Sequence, residues 1–203
     1  MIDQPFRQIL PRFAQPLTAW YERQGFHPNQ ITYAALGLAV LAALLTAVGW
    51  PWLAIAVWWL GRLLDGTDGI YARTTGQTTH FGAFLDIVCD MAAYSVMIFA
   101  FAYRHPELTP LWLLILFFYV LCITGAVSLG AAMRELNVNS DDNRGIRLAA
   151  GLAEGGETGI AYTLFLLFPA NIAFTASLWI IVLATTVLAR VFLAKKTLAQ
   201  FDR

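Results

Sequence analysis

Residues 31–49 and 109–133 each run for about the length of a bilayer crossing without one charged side chain. In hydrocarbon a chain must satisfy its own backbone N–H and C=O groups, so apolar runs of about 20 residues are expected to be helices there. Residues 51–70, 82–103, 151–168 and 172–193 are also long enough to cross, and three of these four carry acidic residues near one end. The expected fold is an all-α integral membrane protein, a six-transmembrane-helix bundle forming a single membrane domain over residues 1–203. Composition agrees: 59% of the residues are hydrophobic and 13% charged, whereas soluble domains carry about a quarter charged residues.

Basic residues orient the bundle. With both termini cytoplasmic, Arg7, Arg12, Arg23, Arg62, Arg73, Arg134, Arg144, Arg147, Arg190, Lys195, Lys196 and Arg203 fall on the inner side, and Arg104 alone falls outside. That asymmetry follows the positive-inside rule and predicts a cytoplasmic (inner) membrane protein. No cleavable signal peptide is expected, because the first thirty residues lack an apolar core of the needed length. Instead Phe6, Ile9, Leu10, Phe13, Leu17 and Trp20 recur at helical spacing. They predict an N-terminal amphipathic helix on the membrane surface, broken or bent near Pro11 and Pro16; a helix packed on the bundle is the equal alternative. Cys89 and Cys122 lie in apolar helical sequence, with neither zinc spacing nor a disulfide framework. No nucleic-acid partner is expected; the surrounding partners are membrane lipids.

Against this background Asp65-Gly66-Thr67-Asp68-Gly69-Ile70-Tyr71-Ala72-Arg73 and Gly82-Ala83-Phe84-Leu85-Asp86-Ile87-Val88-Cys89-Asp90 stand out. Intramembrane carboxylates cost several kcal/mol by most estimates and persist where a partner charge or a watered site compensates them. Asp65 and Asp68 are three residues apart, with Gly69 and Arg73 following at four-residue steps, so all lie near one helical face. Gly82, Asp86 and Asp90 step by four along the next helix. Two such faces can form one pocket. Hard oxygen ligands without neighbouring histidine or cysteine favour magnesium, manganese or calcium. Four carboxylates exceed what one magnesium usually takes, which suggests two ions able to neutralise a diphosphate. Arg73 offers a planar donor for phosphate oxygens. Two other readings stay open: aspartates satisfied by Arg62 and Arg73, and a non-enzymatic cation conduit.

The pattern Asp65-x2-Asp68-Gly69-x2-Ala72-Arg73-x8-Gly82-x3-Asp86-x3-Asp90 resembles the signature of the CDP-alcohol phosphotransferases, membrane enzymes of phospholipid synthesis. The resemblance implies a six-helix bundle, commonly a homodimer, whose active site opens at the cytoplasmic side. It implies Mg2+ or Mn2+ and transfer of a substituted phosphate from a CDP-linked donor to an alcohol acceptor, releasing CMP. CDP-diacylglycerol is the expected donor; the alternative is head-group transfer from a soluble CDP-alcohol to diacylglycerol. By the same resemblance Asp65, Asp68, Asp86 and Asp90 hold the metal, and Asp90 also accepts the proton of the attacking hydroxyl. Gly69 and Arg73 contact the CDP group, and Thr79 adds a hydrogen bond. Pro28-Asn29-Gln30-Ile31-Thr32 resembles the family's entrance to the first membrane helix, where Asn29 contacts the nucleotide; the alternative is that Asn29 or Thr32 caps that helix.

The acceptor is less legible. Arg134, Arg144 and Arg147 could bind a phosphorylated alcohol, or simply reflect a cytoplasmic loop. Glu154 and Glu157, three apart among glycines at the start of the fifth membrane helix, could pair with those arginines, complement the helix dipole, or face the pocket and select a cationic acceptor.

Overall fold

A computed structural model describes residues 3–136, 155–199 and 201, with side chains from Ala14 onward, and all regular structure among them is helical. The helices are α1 (Asp3–Gln24), α2 (Pro28–Val48), α3 (Pro51–Thr74), α4 (His80–Arg104), α5 (Thr109–Glu135), α6 (Gly155–Leu167) and α7 (Ile172–Leu198), with 3-10 turns at Pro106–Leu108 and Pro169–Asn171. Among the described residues four segments are long and apolar enough to cross a membrane: Pro28–Val48, His80–Arg104, Pro106–Glu135 and Pro169–Leu198. Helix α3 has the length, at 24 residues, but carries Arg62, Asp65, Asp68 and Arg73. The described part of α6 is 13 residues.

Short connections make neighbours antiparallel. Helix α2 ends at Gly49, whose φ of 84° lies in the left-handed region that favours glycine. Trp50 N–H returns to the Leu45 carbonyl at 2.9 Å, and Pro51, which needs no N–H partner, opens α3 at once. At the other end Gly76 turns the chain with φ 68°. Thr79 then caps α4, its hydroxyl accepting the Gly82 N–H at 2.9 Å. Consequently the C-terminal end of α3 and the N-terminal end of α4 lie at the same end of the bundle. That arrangement joins the two halves of the acidic pattern.

Helix α2 packs on both α3 and α4. Its buried face is built of Ala35, Ala39, Ala42 and Ala43, and Gly61 of α3 meets it so closely that an added Cβ would lie 3.3 Å from the Ala35 carbonyl and from Leu38 Cβ. Small residues allow this approach, and in lipid such packing drives helix association. The core that follows is aromatic: Trp58, Phe101, Trp112, Tyr162 and Phe165 are all buried. Its polar atoms are joined across helices, with Tyr119 and Tyr162 hydroxyls 2.9 Å apart, Trp179 donating to Tyr119 at 3.0 Å, and Tyr162 donating to the Tyr94 carbonyl at 3.0 Å.

Helix α1 runs unbroken through Pro11 and Pro16, so of the expected break or bend the break is corrected. Each proline removes one N–H from the ladder, and the remaining bonds carry the helix across. Its C-terminal half packs on α3: Tyr21 is buried with Ile31 and Tyr71. The buried Thr67 hydroxyl donates to the Leu64 carbonyl at 2.8 Å and so accepts from Tyr21 at 3.1 Å. Tyr71 in turn donates to the Phe26 carbonyl at 2.9 Å.

Candidate active site

Three of the four signature aspartates converge. Carboxylate oxygens of Asp65, Asp68 and Asp86 all lie within 4.8 Å of one another. They form a gradient of exposure, with Asp68 buried, Asp65 half-buried and Asp86 exposed. Asp68 is held on both oxygens: Oδ1 accepts the Gly69 N–H and Oδ2 accepts the Thr32 hydroxyl, each at 2.5 Å. Charge-assisted hydrogen bonds of this kind fix a carboxylate's orientation before a ligand arrives. Hard oxygens this closely spaced fit a divalent cation of the magnesium or manganese type.

The fourth aspartate is joined to the group through Arg62. Asp90 Oδ1 accepts from Arg62 Nη1 at 2.6 Å, and the same nitrogen lies 3.4 Å from Asp65 Oδ2. Satisfaction by arginine is therefore realised for part of the cluster, through Arg62. Sequence reasoning offered Arg62 and Arg73 together as partners for the aspartates, without saying which carboxylate each would meet. The three-residue spacing of Arg62 to Asp65 was the available signal, whereas its contact with Asp90, 28 positions away, depends on how α3 meets α4.

Beside the carboxylates opens a cleft of about 180 Å3, lined among others by Asn29, Asp68, Gly69, Arg73, Thr79 and Asp86. All four residues expected to contact the nucleotide therefore line one space. The Arg73 guanidinium lies over Gly69, where a Cβ would come within 3.2 Å of Nη1. Glycine at 82 has a similar consequence, since a Cβ there would lie 3.1 Å from Thr79 Oγ1 and 3.2 Å from Asn29 Oδ1. The absence of two side chains thus shapes the cleft.

Neither Asn29 nor Thr32 caps α2. His27 does, its Nδ1 accepting the Asn29 N–H at 3.3 Å while Gln30 Oε1 accepts the His27 N–H at 2.8 Å. Asn29 and Thr32, relieved of capping, turn to the cleft and to Asp68. Thr32 is a site residue that sequence reasoning had placed only within the helix entrance. Glu157 lies in the first turn of α6 and is half-buried, and Arg134 lies in the last turn of α5. Glu154, Arg144 and Arg147 fall outside the described residues.

Comparison with known proteins agrees with this geometry. Residues 26–191 match the CDP-alcohol phosphatidyltransferase family. The inner membrane protein YnjF of Escherichia coli (strain K12) is 32% identical over 185 residues, 90% of this chain and 89% of that protein. A phosphatidylinositol phosphate synthase of Mycobacteroides abscessus is 36% identical over 91 residues, 43% of this chain and 40% of its own. Among solved structures, the Mycobacterium tuberculosis phosphatidylinositol phosphate synthase PgsA1 with CDP-DAG bound superposes with a TM-score of 0.74 at 22% identity, covering 91% of this chain and 94% of that one. The same protein in complex with manganese and citrate gives a TM-score of 0.69 at 22% identity, covering 88% and 87%. The chain belongs to the CDP-alcohol phosphatidyltransferase family. It is a membrane enzyme, a metal-dependent transferase of phospholipid synthesis that moves a phosphatidyl group onto an alcohol. The cation-conduit reading falls with that assignment.

Proposed function

We propose that this enzyme takes its phosphatidyl group from CDP-diacylglycerol, passes it to a small alcohol and releases CMP. The observation that carries the reading is the meeting of Asp65, Asp68 and Asp86 beside a cleft lined by Asn29, Gly69, Arg73 and Thr79. A donor with lipid tails suits a cleft at the end of a membrane bundle, because the diacylglycerol stays among lipids while the diphosphate enters.

Asp65, Asp68 and Asp86 would hold the metal, with Asp90 completing the ligand set. Magnesium or manganese, two ions in all, is the complement that four carboxylates favour. Bound there, the ions would neutralise the diphosphate and stabilise the charge that develops as CMP leaves. Arg73 donates to phosphate oxygens, while Asn29 and the Thr79 hydroxyl hydrogen orient the nucleotide end of the donor. Asp90 takes the proton of the acceptor hydroxyl as that oxygen attacks the phosphorus distal to cytidine. The bond from that phosphorus to the bridging oxygen breaks, and CMP departs.

We take residues 1–203 as one membrane domain with α2 to α7 as its six spans, α1 lying along the inner surface, and the cleft facing the cytoplasm. The basic-residue asymmetry supports that orientation, and a homodimer is the expected assembly. The test is CMP release by purified protein with a divalent metal, CDP-diacylglycerol and a panel of polyols, amino alcohols and phosphorylated alcohols. A parallel arm supplies soluble CDP-alcohols with diacylglycerol. Turnover confined to that second arm would overturn the donor assignment.

A further inference from the structure

Arg62 sits in a box walled by aromatic rings of the bundle core. Its side chain is only 8% exposed, and its guanidinium carbon lies 5.0 Å from the Trp58 ring centroid and 5.4 Å from that of Tyr94. Trp58 is one turn before Arg62 on α3, and Tyr94 is one turn after Asp90 on α4, so two facing rows meet at the guanidinium. Both rings are tied to the core. Trp58 is buried against Tyr162 with centroids 5.2 Å apart, and Tyr162 donates to the Tyr94 carbonyl at 3.0 Å. A planar cation between two aromatic faces gains cation–π attraction and loses freedom of orientation.

This box meets the carboxylates unequally, with Arg62 Nη1 2.6 Å from Asp90 Oδ1 and 3.4 Å from Asp65 Oδ2. Asp68 is oriented by neutral donors, from Thr32 and Gly69, and has an oxygen within 4.8 Å of those of Asp65 and Asp86. Asp90 is instead gripped through one oxygen by a fixed positive charge at 2.6 Å. We infer that Arg62 is a positioning residue for the reaction: it clamps one carboxylate oxygen of Asp90 so that the other is aimed at the alcohol hydroxyl. The inference rests on Asp90 acting as the base. It assigns Arg62 no contact with the donor, since the residue lies outside the cleft lining.

The experiment compares wild type, Arg62→Met, Arg62→Lys, Asp90→Asn and the Arg62→Met/Asp90→Asn double variant, each as the full chain in lipid nanodiscs. Steady-state CMP release yields kcat and donor KM, and binding of Mn2+ alone is titrated separately. Loss of a partner that orients a functional group typically costs 10–100-fold, so Arg62→Met should lower kcat by roughly that factor. Donor KM should stay within about threefold, as expected for an interaction realised in the reaction step rather than in binding, and Mn2+ binding should not weaken, because Arg62 is a competing cation on Asp90 and Asp65. Arg62→Lys should recover part of the lost rate, since charge returns without the planar fork. The double variant should be no slower than Asp90→Asn, because residues that act through one another are non-additive. An unchanged kcat in Arg62→Met, a parallel loss of Mn2+ binding, or a double variant whose loss is the product of the singles would each overturn the inference. Full activity in Asp90→Asn would instead overturn the base assignment beneath it. Where Arg62→Met fails to fold, Arg62→Gln takes its place in the same comparison.

Discussion

Gly82→Ala perturbs the cleft without touching a carboxylate. The added methyl would lie 3.1 Å from Thr79 Oγ1 and 3.2 Å from Asn29 Oδ1, closer than the 3.4–4 Å of ordinary contact, so both atoms must yield by a few tenths of an ångström. Neither yields freely. Thr79 Oγ1 accepts the residue-82 N–H at 2.9 Å as the α4 cap, and such a cap is worth about 1 kcal/mol. Asn29 belongs to the first turn of α2, which His27 caps and buried Pro28 anchors. Overpacking of this kind costs about 1–3 kcal/mol, spread between stability and the position of the two polar groups. Losing one hydrogen bond to the donor, about 1–1.5 kcal/mol, corresponds to roughly a tenfold rise in donor KM. Asp90 lies two turns further along α4, about 12 Å away, so kcat should change by less than about threefold. Thermal unfolding in detergent reports the stability share, and CMP release against donor concentration reports the rest. A collapse of kcat with donor KM unmoved would refute the reasoning, because it would place residue 82 with the reacting atoms rather than with the nucleotide.

Asp90→Asn keeps an oxygen for Arg62 and removes a base and at most one metal ligand; turnover should fall by about 10²–10⁴-fold while donor binding substantially persists, and equal losses of both would indicate a chiefly metal-holding role. Asp65→Ala and Asp68→Ala strip oxygens from the three-carboxylate group, so metal titrations and donor binding should weaken together; unchanged magnesium titrations in both variants would exclude that group as the metal site. Glu157→Gln tests acceptor selection at the start of α6, where Gly155 closes on the Tyr94 hydroxyl. An amino-alcohol acceptor should show a raised KM with donor KM spared, and the reverse pattern would assign this glutamate to another part of the bundle.

The helices themselves were legible. Uncharged residues 31–49 and 109–133 correspond to α2 (Pro28–Val48) and α5 (Thr109–Glu135), because hydrocarbon demands internally satisfied backbone and an apolar run of set length announces it. The same local periodicity placed Asp65 and Asp68 on one face of α3, and Asp86 and Asp90 on one face of α4. Expectations also failed locally. Asn29 and Thr32 were candidate caps, yet the neighbouring His27 took that role with Gln30. The prolines of α1 did not interrupt it.

Residue type and spacing alone therefore determined a membrane-embedded helical chain with four carboxylates near one end of two adjacent helices. Which three of those carboxylates meet, and which two share Arg62, was decided by the rotation and depth at which α3 and α4 each pack on α2. That register is set by distant contacts: Gly61 against the Ala35 carbonyl and Thr32 against Asp68 for α3, and Tyr162 against both Trp58 of α3 and the Tyr94 carbonyl of α4. A helical repeat carries no information about the azimuth of a neighbour, so such pairings become visible only when the helices are packed together.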